Sequence, residues 1–124
     1  MGPDRQFQSA LEALRRRPEP DLEGAVSNAV SALEAVVRII TNDDKVLLGP
    51  GIDRLQREHG LHGALASSIK ALYGYASDAG GRHGLVGSPD VDHHIAEFCL
   101  HQSAAAIVFV ARLRGLGVVR DVPD

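Results

Sequence analysis

Cysteine is nearly absent from this 124-residue chain: Cys99 stands alone, which excludes an internal disulfide and fits a reducing compartment. A cationic excess is absent too. Thirteen Lys and Arg against sixteen Asp and Glu leave a formal net charge of -3. No broad positive field is therefore on offer to nucleic acid, and any RNA or DNA contact must be local. Residues 1–17 alternate apolar and charged positions, which is not a secretory signal, and Gln6 stands where a myristoylation signal needs Ser or Thr. The longest strongly apolar run, Ala104 to Ala111, falls well short of the ~20 residues that span a bilayer. These absences together place the chain in the cytoplasm, soluble and away from membranes. No G-x-x-x-x-G-K-[ST], no G-x-S-x-G and no C-x-x-C occurs, and there is no internal repeat.

What is present is helical periodicity, with hardly any strand alternation. The first helix is expected over about residues 3–17, where Phe7, Leu11 and Leu14 share a face and Arg15-Arg16-Arg17 suit the macrodipole at the carboxyl end. Pro18-Glu19-Pro20 then makes a short, stiff break. The second helix, about residues 21–41, carries one wide apolar stripe: Leu22, Val26, Ala29, Val30, Leu33, Val36, Val37 and Ile40. Glu34 and Arg38 lie on its other side as an i,i+4 pair, read as a surface support or as a polar flank to a neighbouring site. Residues 47–51 read as a turn, followed by a short helix over about 52–59. A fourth helix over about 61–77 buries Leu61, Leu65, Ile69, Leu72 and Ala76. Residues 77–87 form a glycine-rich loop, and Ser88-Pro89-Asp90 restarts a helix that runs to about 114. The first half of that last helix is polar and the second is apolar all round, so it must be covered on every side, which favours a two-fold dimer. The domain reading is an N-terminal helix over 1–17, a helical bundle over 18–115 and a loose tail over 116–124.

Three groups could carry chemistry. In the glycine-rich loop, Arg82 could neutralise a phosphate and His83 could move a proton near neutral pH; the plain alternative is a connection in which His83 merely packs. On the last helix His93, Glu97 and His101 share a face at i, i+4, i+8 and could grip a metal with a third or fourth ligand from another segment, although a solvated polar face is the better explanation. Cys99, beside Phe98 and Leu100, reads as an inert core thiol.

The stretch LYGYASD at 72–78 with GRHG at 81–84, preceded by residues 23–38 and followed by the Ala-rich last helix, resembles the C-terminal helical domain of bacterial abortive-infection-type proteins. The resemblance covers roughly residues 18–113, and through it the chain is similar to the HEPN class of helical bundles. It implies an all-α bundle of about five helices that dimerises. It further implies a metal-independent, cofactor-free RNA cleavage in phage defence or a toxin system. The implied catalytic residues are Arg82 and His83 of both copies, with Asp78 and Glu97 as orienting partners. Members of that class space the Arg and His by four to six residues, whereas Arg82 and His83 are adjacent. Arg54 with His59 and Arg57 with His62 have the family spacing but stand upstream of the fourth helix. The alternative is a non-catalytic dimerisation or sensing module, partnered by an antitoxin or by other domains of a larger defence protein.

Overall fold

The computed structural model describes residues 2–81 and 91–113, the side chains of 78–81 excepted. It is all-helical there: α1 (Pro3–Arg15), α2 (Leu22–Thr41), α3 (Leu48–His59), α4 (Gly63–Gly81) and α5 (His93–Leu113). The central element is α2, which packs against each of the other four helices, whereas α4 and α5 barely touch one another. Its stripe accounts for this position: Val26, Ala29, Val30, Leu33, Val36, Val37 and Ile40 are all buried. All but Ala29 meet Leu48, Ile52 and Leu55 of α3, Ala66 and Ile69 of α4, and Ala96, Cys99, Ala106 and Val110 of α5 in one core. A second cluster, Ala10, Ala13, Ala25, Ala29 and Leu100, lets α1 approach α2 and α5 on small side chains. The Asp21 N–H donates to Ala13 O at 2.8 Å, which ties the break after α1 back onto that helix.

Both ends of α2 and the end of α3 have an identifiable cause. The Asp21 carboxylate accepts from Gly24 N at 3.0 Å and caps α2. Asn42, at φ 56°, ends α2 in the left-handed conformation that Asn tolerates, and Gly60, at φ 70°, does the same for α3. Arg54 of α3 donates to Thr41 O and to Asp43 Oδ2, both at 3.1 Å, so it satisfies a terminal carbonyl of α2.

Four expectations are corrected. Residues 48–51 are the first turn of α3, not a turn before it, because Glu34 Oε2 accepts from the Leu48 N–H at 2.8 Å and caps the helix from fourteen residues away. Residues 77–81 continue α4 rather than forming a loop. Extending a helix already anchored by buried Ala76 fixes less entropy per bond than starting one. The last helix begins at His93, where Asp92 Oδ1 accepts from Ile95 N at 2.9 Å. The expected N-cap at Ser88 lies outside the described residues, as does the tail over 116–124. Finally, Leu65 is 47% exposed rather than buried, because α4 turns Ala66 and Ile69 toward the core and leaves Leu65 on a rim facing α5.

Candidate functional site

The polar start of α5 is a solvated face. His93, His94, Glu97 and His101 are all exposed, and His93 Nδ1 lies 3.5 Å from Glu97 Oε2, an i,i+4 pair that is ionic only when the imidazole is protonated. Among the described residues no three His, Cys, Asp or Glu side chains come together as a metal-holding group, so His93, Glu97 and His101 gain no further ligand there. Asp78 sits on the last turns of α4, whose side chains are not described. Arg82 and His83 lie outside the described residues, in the connection between α4 and α5.

One member of each alternative Arg–His spacing is taken up structurally. Arg54 is committed to Thr41 and Asp43, and His62 Nδ1 accepts from Ala64 N at 3.0 Å at the start of α4. Glu34 and Arg38 are more than a surface pair. While Glu34 caps α3, Arg38 Nε donates to Val46 O at 2.8 Å, and the two side chains approach to 3.4 Å. Together they fasten the α2–α3 connection. No local pattern signals this, because both partners of the pair lie beyond a helix break.

Near the start of α5, the Tyr75 hydroxyl is enclosed without a hydrogen-bond partner among the described residues. Burial raises its pKa, with Cys99, Asp92 and Glu23 adding negative charge nearby. Burial likewise raises the Cys99 thiol, and with 2% exposure that thiol is a core group rather than a nucleophile.

The prominent surface feature is apolar and flanks α5. On one side an open groove of about 190 Å³ runs between α4 and α5, lined by Leu65, Ile69, Leu72, Ala105, Ala106 and Phe109 with Ser68 and Gln102. On the other, a groove of about 390 Å³ lies against α1, where Phe7, Ala104, Ile107 and Val108 face one another. Phe98, Val108 and Phe109 are 60%, 48% and 37% exposed. A third groove, between α2 and α4, mixes Ser27, Ser31, Glu34, Tyr73 and Ser77 with Val30 and Ala76. Both α2 and α5 are long and apolar enough to cross a membrane by length and composition, each with a mean hydropathy of 1.3 in its best window, although α2 is the central core helix here.

No protein family, curated protein or solved structure matches the chain. The arrangement leaves an exposed apolar face along α4 and α5 and, among the described residues, no metal-holding group.

Proposed function

We propose that this chain is a self-pairing helical module of a phage-defence protein of the abortive-infection kind, HEPN-like in fold, that associates in the cytoplasm through α5 and the rim of α4. The observation that carries the reading is the row of large apolar side chains, Leu65, Phe98, Val108 and Phe109, left in solvent on those two helices. Isolated exposed apolar residues are ordinary, but several large ones along one helix flanked by open apolar grooves favour a protein contact. Association of two such faces satisfies what the apolar second half of α5 demands. Other domains or an antitoxin would then use the remaining surface.

A second reading is metal-independent RNA cleavage. It is favoured by one feature: α4 extends to Gly81, so Arg82 and His83 follow directly in sequence after a helix of the pairing face. In that case His83 moves the proton of the ribose 2′-hydroxyl and Arg82 stabilises charge on the phosphate. Sedimentation equilibrium of the wild type and of Val108→Glu tests the pairing, with a concentration-dependent dimer expected only for the wild type. Incubation with mixed RNA in EDTA, alongside His83→Ala, tests the second reading. Cleavage by the wild type alone makes the module a nuclease, and no cleavage by a folded dimer leaves it an interaction module.

A further inference from the structure

The exposed seam of α5 has a spacing that reads the same from either end. Phe98, Gln102, Ala105 and Phe109 are separated by four, three and four residues, and all four are exposed. At ~100° per residue they fall within a strip about 60° wide. That strip faces away from buried Ala96, Cys99, Ser103 and Val110. We propose that two copies pair antiparallel along this seam, about a two-fold axis passing between Ser103 and Ala104, so that Phe98 of each copy meets Phe109 of the other. This rests on the pairing reading above and adds the orientation and register of the second copy.

In the reversed orientation each large ring finds the other large ring, and each Gln102 lies beside the small Ala105, which leaves its amide room to turn to solvent or to the opposite Gln102. A parallel pairing instead stacks Phe98 on Phe98 and Gln102 on Gln102, in a seam where a polar side chain costs stability. Charge points the same way. Glu97 stands near the amino end of α5 and Arg112 in its last turn. Antiparallel pairing brings Arg112 to the level of Ile95 of the other copy, toward Glu97, and opposes the two helix dipoles. Parallel pairing sets Glu97 level with Glu97 and Arg112 with Arg112. The face reaches the lower limit of size. Two helices about 30 Å long and about 20 Å wide together present on the order of 600 Å², the low end of the roughly 600–1,000 Å² per partner of a stable pair.

The test uses the full chain with Cys99→Ala, so that the only thiols are those introduced. Phe98→Cys and Phe109→Cys are made separately, one of them carrying a mass tag. Each is checked for an unchanged thermal melt, and all are oxidised at concentrations where sedimentation shows the dimer. Mixing the two variants is expected to give a cross-linked heterodimer at least five-fold more abundant than the homodimer from either alone, because the two Phe98 positions lie about 16 Å apart along antiparallel helices. Efficient cross-linking of Phe98→Cys with itself overturns the antiparallel register while leaving the pairing intact. A dimer that cross-links in none of the three reactions places the contact elsewhere and also overturns the register. A monomer at every concentration removes both the register and the pairing on which it rests.

Discussion

Substituting Ala for Gly should have opposite signs at two helical positions of this protein. At Gly51, in the first turn of α3, an added Cβ would stand 2.5 Å from Val37 Cγ1, where ordinary contacts begin at 3.4 Å. Roughly 1 Å of movement is therefore needed. Val37 has no exposure and sits in the second half of α2, and as a β-branched residue in a helix it has one strongly preferred rotamer, so it has no easy way to give. Overpacking of this kind costs about 1–3 kcal/mol, and the gain in helix propensity on replacing Gly offsets at most about 1 kcal/mol of it. Gly51→Ala should thus destabilise by about 1–2 kcal/mol. At Gly74, exposed in the middle of α4 with nothing within 4 Å, only the propensity gain remains, and Gly74→Ala should stabilise by about 0.5–1 kcal/mol. The two variants should differ in Tm by about 5–10 °C for a chain of this size. Thermal melts by circular dichroism read the difference. Val37→Ala made in the Gly51→Ala background should recover part of the loss, as expected for residues in contact. A Gly51→Ala protein as stable as Gly74→Ala would refute the close approach of α3 to α2.

Two further outcomes follow from the same contacts. Glu34→Ala should cost about 1–3 kcal/mol in urea titration, because it strands the Leu48 N–H beneath a fully buried Leu48 and releases Arg38, whereas Glu34→Gln, which keeps an acceptor, should cost less. Amide exchange at Leu48 should accelerate in the Ala variant only, and equal exchange in both would remove the cap. Burial raises the Cys99 pKa, so the folded chain holds that proton more tightly than the unfolded one. Its contribution to stability is complete below the unfolded value, about 9, and is lost as pH rises through the raised folded value. The alkaline fall in Tm should therefore be shallower in Cys99→Ala, and native Cys99 should react slowly with a thiol reagent at pH near 8; fast reaction would show that the thiol is accessible.

The core was legible in the sequence where its cause is local. The α2 stripe was read residue by residue, since periodicity alone decides which side of a long helix is buried, and α2 turned out to be the hub. Legibility failed where the cause is distant. Gly49-Pro50-Gly51 looks like a helix breaker, yet Pro is allowed in a first turn and the missing cap arrives from Glu34 on another helix. Leu65 falls on the same periodic stripe as Ile69, and only the separation of α4 from α5 shows that this edge of the stripe stays open. Of the candidate site, the shared face of His93, Glu97 and His101 was visible from spacing. Whether a fourth group would join them was a tertiary question, and among the described residues none does.

The same tertiary arrangement explains why α5 carries more apolar surface than its own fold consumes. Four helices lean on α2, and each therefore receives one buried side from it. For α5 that side is Ala96, Cys99, Leu100, Ser103, Ala106 and Val110, mostly small residues that permit close packing. A helix serving only this contact needs nothing larger than Ala or a polar residue at 98, 108 and 109, yet Phe, Val and Phe stand there, all three large and exposed. On the proposed pairing this face is occupied by protein and not by a bilayer. The exposed residues of the first half of α5 include His93, His94, Glu97, His101 and Gln102, and the uninterrupted apolar run from Ala104 to Ala111 is about 12 Å long against a hydrocarbon core of ~30 Å. A second protein surface needs no such length. It needs a ridge of rings, a groove beside it and a polar border, and the α4–α5 face supplies these in Phe98 and Phe109, in the cleft over Ile69 and Ala106, and in the histidines at the amino end of α5.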